Sequence, residues 1–66
     1  MKITINGTAK DLATALSLTA LVGQCCKNPK HVIAELNGKI MPNTDWDKIT
    51  VNDGDNLELV TFVGGG

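Results

Sequence analysis

The chain has 66 residues, enough for one domain, and folding at this size buries only about 60% of the surface that the unfolded chain exposes, which leaves no room for a catalytic cleft beside a core and weighs against an autonomous enzyme. Seven acidic and six basic residues give a net charge of −1 with no basic patch, which argues against nucleic acid as a ligand. The apolar stretches are too short to span a bilayer, and Met1-Lys2-Ile3 enters strand-like sequence with no signal-peptide hydrophobic region, so a cytoplasmic protein with no membrane partner is expected.

Lys2-Ile3-Thr4-Ile5 alternates polar and apolar, the period of a half-buried strand. Asn6-Gly7 is a hairpin signal, because both central positions of that turn require positive φ. Thr8 to Leu12 would be the returning strand, with a helix capped by Asp11 and carrying Leu12 and Leu16 as the alternative. Ser17 is the stronger N-cap, since Leu18, Leu21, Val22 and Cys25 then fall on one apolar helical stripe. Gly23 weakens that helix, and Asn28-Pro29 ends it.

His31 to Leu36 reads as a strand, Asn37-Gly38 as a second hairpin turn, and Lys39-Ile40-Met41 as its return before Pro42 stops the pairing. Thr44-Asp45-Trp46-Asp47 resembles a turn capped by Thr44. Lys48 to Val51 is a short extended piece, Asn52 to Asp55 a turn, and Asn56 to Val63 the last strand. Alternation and the helical stripe place Ile3, Ile5, Leu18, Leu21, Val22, Ile33, Leu36, Leu57 and Leu59 in one core. They also place Glu58, Val60 and Phe62 on the opposite face of the last strand, where two large apolar groups suggest a partner-docking patch.

After that strand come Gly64, Gly65 and Gly66. Glycine has no side chain to pack and loses the most backbone entropy on ordering, so a domain over 1–63 with a flexible tail over 64–66 is expected. Such a tail spans roughly 10 Å when extended and can thread a channel too narrow for side chains. The bland alternative is a frayed linker.

The remaining chemistry-bearing residues are few. Adjacent Cys25 and Cys26 cannot make a disulfide framework, and the helical stripe assigns Cys25 to the core and turns Cys26 about 100° away from it. His31 stands alone without metal-ligand spacing, so no metal site is expected. Trp46 beside Pro42 closes a core edge. There is no phosphate-cradling loop and no acid–base pair, so no bound cofactor is expected.

The order of elements is that of an α+β chain with the β-grasp, or ubiquitin-like, fold: a mixed sheet of four to five strands with one main helix on one face. The sequence further resembles the ThiS family of sulfur carriers of thiamin biosynthesis. The resemblance rests on Met1-Lys2-Ile3-Thr4-Ile5-Asn6-Gly7, on Glu35-Leu36-Asn37-Gly38-Lys39-Ile40-Met41-Pro42, on Trp46, on Asp53-Gly54-Asp55, and on Val60-Thr61-Phe62-Val63-Gly64-Gly65-Gly66. It is thinnest between Thr8 and Asn28. It implies that an adenylating enzyme of the ThiF type activates the Gly66 carboxylate with ATP and that a persulfide donor then supplies sulfur. The resulting thiocarboxylate would serve a thiazole synthase of the ThiG type, so that the protein is a co-substrate, monomeric when free. Carriers for molybdopterin or another thio-product, and ubiquitin-like protein modifiers, are the alternatives that share these features.

Overall fold

The computed structural model describes residues 1–62; the expected boundary at residue 63 and the glycines 64–66 lie outside them. Its strands are β1 (Lys2–Ile5), β2 (Thr8–Asp11), β3 (Leu16–Ser17), β4 (Val32–Leu36), β5 (Lys39–Met41), β6 (Thr50–Val51) and β7 (Asn56–Thr61). One helix, α1 (Leu18–Cys25), follows β3, and short 3-10 segments cover Pro29–His31 and Asn43–Lys48. The main sheet runs β2-β1-β7-β4-β5; β7 is parallel to β1 and antiparallel to β4. Strands β3 and β6 form a separate antiparallel pair beside the helix.

Both expected hairpins form. Asn6 and Gly7 have φ of 51° and 81°, and Asn37 and Gly38 have 51° and 86°, the left-handed pairs that this turn demands. Thr8–Asp11 is the returning strand, so no helix begins at Asp11. Ser17 caps α1 by accepting a hydrogen bond from the Ala20 amide at 3.1 Å.

The core lies between the helix-side face of the sheet, α1 and the 3-10 segment Asn43–Lys48, with Ile3, Leu18, Leu21, Val22 and Leu57 fully buried. Ile5 and Leu59 pack against it as partly buried residues. Ile33 does not belong to it. The strand β4 turns Val32, Ala34 and Leu36 inward, and its period of two turns Ile33 outward. Leu12, Val32, Ala34, Trp46 and Val51 complete the core. Trp46 is buried as expected and donates its indole N–H to the Met41 carbonyl at 2.8 Å.

Several boundaries differ from the sequence reading. The helix ends at Cys25, three positions before Asn28, because Cys26 is already extended. Pro29 then opens the 3-10 turn that includes His31, a start that suits a residue with no amide to satisfy. Thr44 caps nothing; Pro42 precedes the 3-10 segment, and Asp47 instead accepts a hydrogen bond from the Thr19 hydroxyl at 2.6 Å. That bond ties the first turn of α1 to the segment that covers its flank.

Gly23 is exposed on the helix, and a Cβ added there would meet no atom within 4 Å. Gly23→Ala is therefore expected to raise the stability to denaturant by about 0.5–1 kcal/mol, through helix propensity and a less disordered unfolded chain. A chemical denaturation curve checks this.

Candidate functional site

The site is built on β7 and on the face of the sheet that the helix leaves open. Strand β7 is central, yet its pairing with β1 stops early: the register covers only Thr4 with Asn56 and Ile5 with Leu57. Beyond that point Asn6 carries the ladder. Its backbone amide donates to the Leu57 carbonyl at 2.9 Å. Its left-handed φ turns its own carbonyl out of the ladder, and the side chain replaces it. Asn6 Oδ1 accepts from the Leu59 amide at 2.8 Å, and Nδ2 donates to the Leu59 carbonyl at 3.3 Å.

Asn37 does the same from the β4 side. Its amide donates to the Asn56 carbonyl at 2.8 Å, while its Oδ1 accepts from the Asn56 amide at 2.9 Å. Its Nδ2 reaches Asp55 Oδ1 at 3.0 Å, and Asp55 Oδ2 also accepts from the Asn52 amide at 2.8 Å. Two hairpin asparagines thus hold opposite edges of one strand. Past Leu59 the strand is held by β4, and the Phe62 amide donates to the His31 carbonyl at 2.9 Å. The alternation of an antiparallel ladder aims the Thr61 amide and carbonyl toward the side that β1 has left.

The open face carries the expected docking residues together. Val60 is 57% exposed, Phe62 is 41% exposed and Glu58 is half-buried. Two further apolar residues join them: Ile33, which the sequence reading placed in the core, and Ile40, which it gave no site role. Ile33, 43% exposed, lies directly opposite Val60 in the β4–β7 register, and Ile40, 67% exposed, lies opposite Glu35 on β5. Strict alternation along Val32-Ile33-Ala34-Glu35-Leu36 was the signal that would have found Ile33. His31 sits at the end of the patch, its ring 5.9 Å from that of Phe62 and tilted by 44°. Gly64, Gly65 and Gly66 lie outside the described residues.

The two thiols exchange their expected places. Cys25 is exposed, and Cys26 is half-buried against the core. The reason is the helix end: Cys26, at φ −133° and ψ 138°, leaves the helical path, so the angular rule that put it outside no longer applies. Burial pushes the Cys26 thiol above its ordinary value, and the neighbouring Cys25 adds to the shift. A thiol held protonated is a weaker nucleophile. Among the described residues no three His, Cys, Asp or Glu side chains gather into a metal-binding group, and no helix is long and apolar enough to cross a membrane.

The sequence model of the ThiS family matches residues 3–66. The crystal structure of the thiamine biosynthesis protein ThiS of Geobacter metallireducens superposes with a TM-score of 0.87, is 33% identical, and covers all of both chains. The solution structure of a thiamine biosynthesis protein from the same organism gives a TM-score of 0.80 at 36% identity, over all of this chain and 88% of that one. A thiazole synthase of Paramagnetospirillum magneticum is 38% identical over all 66 residues, and the chain spans 20% of that protein's length. The chain belongs to the ThiS family of sulfur carrier proteins, with their β-grasp fold. The family's members are carriers rather than catalysts.

The double bond of Asn6 to Leu59 is open to a direct test. Asn6→Gly keeps the positive φ affordable but removes both side-chain bonds. It is expected to cost about 1–2 kcal/mol of stability and to speed hydrogen exchange at the Leu59 amide more than at the helix amides. Amide exchange followed by NMR reads both.

Proposed function

We propose that this chain carries sulfur as a thiocarboxylate on Gly66 for the thiazole moiety of thiamin. The domain over 1–63 docks on a partner, and the tail over 64–66 delivers the reacting carbon. The observation that carries this reading is the position of β7. It is the central strand, anchored on both edges and carrying part of an exposed apolar patch, and in the sequence only Phe62 and Val63 separate it from the glycines. A thread without side chains, launched from a rigid strand, suits an enzyme site too narrow for a Cβ.

The chemistry follows from the carboxylate. It is a poor electrophile, and this chain offers no acid–base pair and no phosphate loop to activate it. An adenylating partner of the ThiF type uses ATP: a carboxylate oxygen of Gly66 attacks the α-phosphorus and pyrophosphate leaves. A persulfide sulfur then attacks the acyl carbon, and AMP departs with that oxygen. A thiol cleaves the resulting acyl disulfide and frees the thiocarboxylate. The acceptor is a thiazole synthase of the ThiG type, a reading supported by the thiazole synthase that contains a segment similar to this whole chain. The carrier acts in the cytoplasm, monomeric when free, with no cofactor of its own. Val60 and Phe62, with the half-buried Glu58 on the same face, form the docking surface.

Two outcomes are expected. Deleting Gly66, or replacing Gly65 with a bulky residue, leaves thermal unfolding unchanged and abolishes ATP–pyrophosphate exchange by the activating enzyme. Mass spectrometry of the intact chain from its native cell shows a gain of about 16 Da for the exchange of oxygen for sulfur; conjugates of higher mass would instead mark a protein modifier.

Docking has a separate measurement. Val60→Ala with Phe62→Ala is expected to raise KM for the activating enzyme roughly tenfold, about 1.4 kcal/mol, with little change in stability, because both side chains are exposed. Steady-state kinetics beside a thermal melt checks this; unchanged kinetics would place docking elsewhere.

A further inference from the structure

Two carboxylates face each other in the middle of the open face. Glu35 on β4 lies directly opposite Glu58 on β7, and both are half-buried. Residues so paired have Cβ atoms about 5 Å apart, and like charges at that separation weaken the strand pairing. Their neighbours on the same face do nothing to relieve it. Along the strands these are Ile33, Val60 and Asn56, across to β5 the neighbour is Ile40, and on β1 Thr4 lies opposite Asn56, with Lys2 two residues further from Glu58 and across from Asp11. Lys39 pairs with Leu36 and so belongs to the opposite side of the sheet. Among the described residues the sheet therefore holds two adjacent acids without a cation paired to them, bordered by the exposed apolar Ile33, Val60 and Ile40 on one side and by Asn56 and Thr4 on the other.

We propose that Glu35 and Glu58 together receive one arginine or lysine of the activating enzyme, with Ile33, Ile40, Val60 and Phe62 closing around that cation. The proposal rests on the carrier reading above and adds the chemistry of the partner's surface: a single cation beside apolar groups. The charge pattern chooses this occupant over a second copy of the chain. A second copy on this face would bring its own pair of glutamates against the first, with no lysine on β4 or β7 to offset them and with Lys2 on β1 lying across from Asp11. A guanidinium or ammonium placed between two carboxylates converts their repulsion into attraction. The surrounding apolar residues exclude water and strengthen that attraction. The acids then act as a selection device: a partner with an apolar patch but no cation would have to bury two uncompensated charges.

The test is the Glu35→Gln, Glu58→Gln double variant of the full chain, titrated against the activating enzyme at low and physiological salt. Affinity is expected to fall roughly tenfold at low salt, with a smaller loss as salt rises. The melting temperature of the free variant is expected to rise by a few degrees, because the repulsion is gone. Opposite signs for binding and stability are what a purely structural role would not produce. Unchanged affinity, or a lower melting temperature in the variant, overturns the proposal while leaving the carrier reading in place, provided the wild type is adenylated. A wild-type affinity that ignores ionic strength overturns it without any variant. So does a wild-type dimer in sedimentation that Val60→Ala with Phe62→Ala dissolves. Failure of the enzyme to adenylate the wild type overturns the carrier reading and this proposal with it.

Discussion

The capture of β7 by two left-handed asparagines is the constraint on which the rest of the structure depends. Each hairpin turn needs a residue that tolerates positive φ, and that conformation rotates the residue's own carbonyl out of the sheet. Asparagine meets both demands, because its amide returns an acceptor to the vacated place. Asn6 thereby extends the β1 ladder to Leu59, and Asn37 completes the β4 ladder at Asn56. With glycine at either site the turn would survive and the strand edge would lose its partner. A central strand stripped of ladder bonds is costly, since unpaired backbone groups in a sheet lose their water without replacement.

Fixing β7 fixes the parity of its side chains, and parity divides the molecule into two functional halves. Leu57 goes to the core and Leu59 packs against it; Glu58, Val60 and Phe62 go to the open face. The same register sets Ile33 opposite Val60 and Glu35 opposite Glu58, so one alignment assembles both the apolar patch and the acid pair. A slip of one residue would bury a glutamate and expose Leu57, which makes the alternative registers far less stable. In a domain of 66 residues, with a total stability on the order of 0.05–0.15 kcal/mol per residue, that margin is a large part of the whole.

The core also takes up side chains that could otherwise have carried chemistry. The half-buried thiol of Cys26 packs against the core at the helix end, and its surroundings raise its pKa. Trp46 spends its polar edge on the Met41 carbonyl and its rings on the core. Among the described residues, the part that the core has no use for is the open face. On the reading proposed above, a carrier needs little beyond that face and its tail, since partners would supply the activation and the acceptor.

Local signals in the sequence determined a good deal. Asn6-Gly7 and Asn37-Gly38 fixed two hairpins, Ser17 fixed a helix start, and alternation in Asn56–Thr61 assigned Leu57 and Val60 to opposite faces, because each of these depends on a backbone conformation or a period carried by neighbouring residues. The family was legible from the same segments together with the glycines. Tertiary structure alone decided what depends on distant partners. Cys26 became the inner thiol because the helix stopped at Cys25, and Asp47 met Thr19 at the surface beside α1 instead of closing a cap. Ile33 lay within reach of strict alternation, but the opposition of Glu35 to Glu58 required the pairing of strands more than twenty residues apart in the chain. Register between distant strands is set by which side chains the core accepts, and no local pattern contains that information.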